Sequence, residues 1–206
     1  MLRFALLSIG LLLACSNGSA EIVFSEFDLA TDLSNLPTAP TSIGTLALGA
    51  NEVEGALVQG EVNELDIDPD IFTFTIGAGQ VLDSVILLDF EGDGHFFGLD
   101  DGTTSDFGNG TQLLIATLVG DAGTLNINLL DLTTAQQNFG GQGVTAPLGA
   151  GDYTIWVQEN LAEFNVFTYT VQLNTSAAAV PEPGCFVALV GLSVAAITQR
   201  RRRRTN

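Results

Sequence analysis

Apolar side chains recur at every second position in several separated runs of this chain. That period belongs to a β-strand with one buried face. Phe72, Phe74 and Ile76 alternate with Thr73 and Thr75, and Leu125, Ile127 and Leu129 with Asn126 and Asn128. Tyr153, Ile155 and Val157 alternate with Thr154, Trp156 and Gln158, and Phe167, Tyr169, Val171 and Leu173 with Thr168, Thr170 and Gln172. Val81 to Phe90 is more continuously apolar, which suits a central strand. Ile22 to Phe27, Ile43 to Leu48, Ala56 to Val62 and Gln112 to Val119 are weaker strand candidates. No stretch between Glu21 and Ala179 carries a convincing period of 3.6.

Turn chemistry separates the runs. Gly77-Ala78-Gly79, Gly92-Asp93-Gly94, Asp101-Gly102, Gly108-Asn109-Gly110, Asp121-Ala122-Gly123, Gly140-Gly141 and Gly149-Ala150-Gly151 all fall between candidate strands. Strands of this kind at this spacing predict an all-β domain, an antiparallel β-sandwich of about eight or nine strands.

Two segments resemble the bacterial pre-peptidase C-terminal domain. They are Asp68-Pro69-Asp70-Ile71-Phe72-Thr73-Phe74-Thr75-Ile76-Gly77-Ala78-Gly79 and Leu148-Gly149-Ala150-Gly151-Asp152-Tyr153-Thr154-Ile155-Trp156-Val157. The resemblance implies a jelly-roll-like accessory sandwich over about 51–174, closed by one more hairpin strand, Val166 to Leu173. Residues 21–50 fall outside it, as an N-terminal extension or extra strand.

Charge narrows the function. All 6 basic residues are arginines, Arg3 and Arg200 to Arg204, so residues 21–179 contain no Lys or Arg. Every one of the 24 acids except Glu182 lies in that stretch. Such a surface repels nucleic acid and anionic lipid, and nucleic acid is excluded as a partner. Both cysteines, Cys15 and Cys185, lie in the terminal segments, so the domain folds without a disulfide.

Residues 1–20 read as a secretory signal peptide with its own helix. Arg3 forms the positive end, Phe4 to Ala14 the apolar core and Ser16 to Ala20 a small, polar exit. Signal peptidase would then cut between Ala20 and Glu21. A rival cut stays open, because Leu12-Leu13-Ala14-Cys15 resembles a lipoprotein lipobox.

At the other end, Val180-Pro181-Glu182-Pro183-Gly184 leads into an apolar stretch from Phe186 to Ile197, followed by Arg200, Arg201, Arg202, Arg203 and Arg204. The prolines stop the preceding strand. The apolar stretch is shorter than the ~20 residues of a comfortable membrane helix. The arginines hold the end in the cytoplasm. Residues 175–184 read as a linker carrying the motif, and 185–206 as a hydrophobic sorting helix with its Arg cluster. Taken in order, these features resemble the PEP-CTERM sorting signal. The resemblance implies transient anchoring in the inner membrane, processing by an exosortase-like enzyme and delivery to the cell envelope or extracellular matrix. Extracellular polysaccharide is the partner it implies there.

Two acidic patterns suggest a cation. Asp89, Glu91 and Asp93 stand at positions 1, 3 and 5 of a loop with Gly94 at 6 and Asp100 at 12, which is the oxygen spacing of a Ca²⁺ loop. Asp66, Asp68 and Asp70 alternate before a strand, so three carboxylates face one side. For each pattern the alternative is a solvated acidic turn or strand entry. His95, the lone histidine, is expected on the surface or in a loop. Trp156 is either a sugar-stacking platform or a side chain buried at an edge or under a loop. With no cysteine in the domain, one histidine and no anion clamp, the reading is a non-enzymatic surface or matrix protein. A secreted carbohydrate-binding or accessory module is the alternative.

Overall fold

The structure is a computed structural model, and it describes residues 20–29, 31–58, 68–90, 94–105, 113–120, 123–159 and 166–179. The expected signal helix and the C-terminal hydrophobic helix lie outside these residues. No helix among the described residues is long and apolar enough to cross a membrane.

Nine strands form two stacked sheets. In chain order they are β1 (Glu21–Ser25), β2 (Thr41–Thr45), β3 (Gly49–Val58), β4 (Asp70–Ile76), β5 (Gln80–Phe90), β6 (His95–Asp101), β7 (Ile115–Val119), β8 (Gly151–Gln158) and β9 (Val166–Ala177). One four-residue helix, α1 (Glu26–Leu29), follows β1. The four-stranded sheet has the order β1-β3-β9-β5, and the five-stranded sheet β2-β4-β8-β6-β7. The all-β sandwich expected from the alternation is therefore present, but its sheets are mixed and not purely antiparallel. β1 runs parallel to β3, and β2 parallel to β4. Neither pair is joined by a tight hairpin, so nothing forces antiparallel pairing there.

The alternation works as expected in β9. Phe167, Tyr169, Val171, Leu173 and Thr175 are buried, while Thr168, Thr170, Gln172 and Asn174 lie on the half-exposed outer face. That polar face is laced by side-chain bonds: Gln172 donates to Glu52 (2.9 Å) and Asn174 to Ser84 (2.9 Å). Across the core from the buried face of β9, β4 contributes Phe72, Phe74 and Ile76, and β6 contributes Phe97 and Leu99, all buried. Burying such side chains drives the two sheets together, at roughly 1.5–3 kcal/mol for each large apolar residue.

Three expectations fail for physical reasons. Val81 to Phe90 is an edge strand, not a central one. Its buried residues are Leu82, Val85, Leu87 and Phe90, and the uneven steps coincide with register shifts at Leu82/Ser84 and Leu87/Asp89. Bulges, not burial on both faces, make the run look continuously apolar. The segment Leu125 to Leu129 is not a strand. Asn126 has φ 59°, a left-handed conformation that breaks extension, and a 3-10 turn follows at Leu129–Asp131. The third is the loop expected over Asp89 to Asp100: His95–Asp101 is strand β6, paired with β7 and β8.

Two of the four edge strands, β5 and β7, are covered by later segments of the chain. On β5, Leu82 and Leu148 exchange backbone bonds of 2.9 Å, and Asn126 N–H donates to the Leu87 carbonyl at 2.9 Å. Asn128 stands in for a strand backbone there: its Oδ1 accepts from Val85 N–H (3.1 Å) and its Nδ2 donates to the Asp83 carbonyl (3.2 Å). On β7, Ala116 N–H donates to Gln137 Oε1 (3.0 Å) and the Ala116 carbonyl accepts from Phe139 N–H (3.2 Å). Such cover prevents edge-to-edge pairing with other chains.

Candidate functional site

Asp70 opens β4 in phase with Phe72, Phe74 and Ile76, so the strand period turns its carboxylate into the sandwich. Its side chain is fully buried, at 0% exposure, and neither carboxylate oxygen has a hydrogen-bond partner of good geometry. Glu26, the first residue of α1, and Asp32, in the loop after it, converge on the same point. One carboxylate oxygen from each of Glu26, Asp32 and Asp70 lies within 4.8 Å of the others.

The chain holds this cluster at one end of the sandwich. Glu26 Oε1 accepts from Leu33 N–H (2.5 Å) and Oε2 from Ala56 N–H (2.6 Å), which fastens the 26–33 segment to β3. Leu33 is itself buried in the core, and Ile71 N–H donates to the Ser34 carbonyl at 2.8 Å. Asp32, between these anchors, stays exposed while Glu26 is half-buried. Tyr169 of β9 closes the inner side. It is buried, and its hydroxyl also lacks a hydrogen-bond partner of good geometry.

Electrostatics follow from the burial. Burial, then the charge of Glu26, raises Asp70 from an ordinary 3.8 to about 9, with the Tyr169 hydroxyl pulling the other way. Burial also raises Glu26 from 4.5 to about 7, against the lowering effect of its two backbone N–H bonds. The Tyr169 phenol is pushed well above its ordinary 10, by burial first and by Asp70 and Glu26 next. Of the three carboxylates Asp70 alone is fully enclosed; Glu26 is half-buried and Asp32 exposed.

Of the other sequence-derived acidic positions, Asp68, Asp89 and Asp100 are among the described residues. Asp68 is half-buried and its Oδ2 accepts from Val58 N–H at 3.2 Å, while Asp66 lies outside the described residues. Asp89 sits within β5 opposite Thr170. Asp100 is buried in β6, with Oδ2 bonded to the Ser105 hydroxyl (2.6 Å) and Oδ1 to Asp101 N–H (3.0 Å). Glu91 and Asp93 lie outside the described residues, as do Val180, Pro181, Glu182, Pro183 and Arg200 to Arg204. Ala20 and Glu21 are exposed at the entry to β1.

His95 departs from expectation: it is not on the surface but fully buried at the start of β6, in phase with Phe97 and Leu99. Its Nδ1 contacts Glu159 Oε2, and its ring stacks on Phe90 (centroids 4.1 Å apart) and tilts against Phe167 (5.0 Å). Trp156 projects from the outer face of the five-stranded sheet. Phe96 meets it edge-on at 5.9 Å, and Phe139, 48% exposed, meets Phe96 edge-on at 5.4 Å. A groove of about 420 Å³ lies near Gly94, Thr117, Val119, Thr124, Gln136 and Asn138, and none of the described residues lining it is titratable.

Glu26, Asp32 and Tyr169 were missed by sequence reasoning. Asp70 alone carried a local signal, its phase with the three apolar residues that follow. The fold and the site together define an all-β sandwich with a buried acidic centre at one end. The chain matches no protein-family model, and no curated protein is similar to it.

Proposed function

We propose that this chain is an exported, non-enzymatic protein of the cell surface or extracellular matrix, delivered by its C-terminal tail. One observation carries the reading: Val180-Pro181-Glu182-Pro183, a short apolar stretch and Arg200 to Arg204 occur in that order. Together they resemble a PEP-CTERM signal. An apolar helix too short to span comfortably, held by cytoplasmic arginines, offers a processing enzyme a weakly anchored substrate. The signal-like residues 1–20 bring the domain across the membrane first.

The pre-peptidase C-terminal resemblance of 51–174 agrees with an accessory sandwich that does no chemistry of its own. The composition agrees too. Residues 21–179 have no Lys, Arg or Cys, which removes thiol nucleophiles and side-chain anion clamps. Deletion of residues 180–206 tests the reading. The truncated protein should leave the envelope fraction and accumulate in the medium. Identical partitioning of full-length and truncated forms would refute it.

A second reading has one observation of its own. Trp156, Phe96 and Phe139 form a partly exposed aromatic cluster on an outer sheet face, the kind of surface on which sugar rings stack. Binding to a polysaccharide that Trp156→Ala abolishes would support a carbohydrate-binding role. An array with no bound glycan would dismiss it.

A further inference from the structure

We propose that Glu26, Asp32 and Asp70 form a binding site for one divalent cation, Ca²⁺ by preference, at the end of the sandwich closed by the 26–33 segment. Three carboxylates converge there, and no Lys or Arg exists between residues 21 and 179 to balance them. Three carboxylates this close in a dry setting cannot all be ionised without a counter-charge.

A second observation is independent of the acids. The Tyr169 hydroxyl is buried, lacks a hydrogen-bond partner of good geometry, and interacts with the Asp70 carboxyl across the site. A buried polar atom in that state is costly, and Asp70 beside it is in the same state. A cation bound to Asp70 fixes its carboxylate and gives the tyrosine hydroxyl a stable acceptor.

The chemistry selects the ion. The donors are all carboxylate oxygens, which suit hard cations and not those that favour nitrogen or sulfur. Two oxygens held by one Ca²⁺ at about 2.4 Å each are at most about 4.8 Å apart, and the three carboxylates meet that limit. Ca²⁺ also tolerates irregular geometry and completes its 6–8 ligands with water. Exposed Asp32 leaves a route for that water and for the ion. Both oxygens of Glu26 already accept a backbone N–H, which orients the carboxylate and leaves lone pairs for the metal.

The test titrates CaCl₂ into the chelator-stripped full-length chain at constant ionic strength, by calorimetry and by thermal melting. Tb³⁺ serves as a luminescent stand-in excited through tyrosine. Wild type should bind Ca²⁺ and melt higher with CaCl₂ than with NaCl of equal ionic strength. Asp70→Asn, which keeps the shape and removes the charge, should fold yet bind at least tenfold more weakly. Asp32→Asn, at an exposed position, should also weaken binding. Asp93→Asn, in the other acidic loop, should bind as wild type does, and Tyr169→Phe should lose more than half of the sensitised Tb³⁺ emission. No Ca²⁺-specific response in wild type would overturn the proposal. So would binding that survives Asp70→Asn and Asp32→Asn, or binding lost only in Asp93→Asn. The proposal does not rest on the sorting reading, and the tail deletion tests that reading separately.

Discussion

Gly55 and Tyr169 are register partners across β3 and β9, and the tyrosine ring lies directly over the glycine. A Cβ at Gly55 would fall 2.4 Å from both the Tyr169 hydroxyl oxygen and Cζ. No side chain fits at that distance, so the glycine is what lets a tyrosine reach the acidic cluster from this strand. Gly55→Ala should push the ring aside and destabilise the fold by about 1–3 kcal/mol, as overpacking does. In a Tyr169→Ala background the same substitution should be nearly neutral. Denaturant unfolding of the four proteins in this cycle checks the coupling.

The acidic centre makes stability depend on pH in an unusual direction. Unfolded, Asp70 and Glu26 ionise near their ordinary values of 3.8 and 4.5; folded, they retain protons up to about 9 and about 7. Within that window the folded state binds more protons than the unfolded state, so stability falls as pH rises. The loss begins near the unfolded values and is complete above the folded ones. A fully retained proton corresponds to about 1.4 kcal/mol for each pH unit, and half-buried Glu26 contributes less. Chelator-treated protein should therefore melt lower at pH 8.5 than at pH 5.5. Asp70→Asn should flatten that difference. A melting temperature that rises with pH equally in both proteins would contradict the assignment.

His95 and Glu159 form a buried pair between aromatic rings. Removing one partner leaves the other's polar group enclosed, at a cost of about 3–5 kcal/mol. Glu159→Leu alone should therefore destabilise strongly. The double variant His95→Leu/Glu159→Leu should recover part of the loss, because two apolar groups replace two polar ones. Equilibrium unfolding in urea measures both effects.

Asn128 guards the free edge of β5 through its bonds with Val85 N–H and the Asp83 carbonyl, and its Oδ1 also accepts from Leu130 N–H. Asn128→Ala should cost about 1–3 kcal/mol by leaving backbone groups unsatisfied. It should also expose a strand edge, so the variant should self-associate at concentrations where wild type does not. Sedimentation velocity against concentration distinguishes the two.

Much of the sandwich was legible in the chain because a strand's inside and outside are set by neighbours two residues apart. Phe167 to Leu173 and Phe72 to Ile76 carried that signal without interruption. It failed where one residue broke the count: the bulges in β5 mimicked a central strand, and Asn126 ended a strand that alternation had promised. His95 was misplaced because a lone histidine next to an acidic Gly-rich turn reads as surface, whereas the strand period it shares with Phe97 and Leu99 turns it inward.

The sequence alone determined the fold class, the lack of any Lys or Arg in the domain and the order of the terminal signals, since each is written in adjacent residues or in composition. Only the tertiary structure brought Glu26, Asp32, Asp70 and Tyr169 to one point. They come from three widely separated parts of the chain, the 26–33 segment, the start of β4 and the middle of β9, and no period links them. Their meeting depends on β1 lying beside β3 in one sheet while β4 faces them from the other. Local chemistry chooses strands, but which strands become neighbours is settled by burial of the whole core.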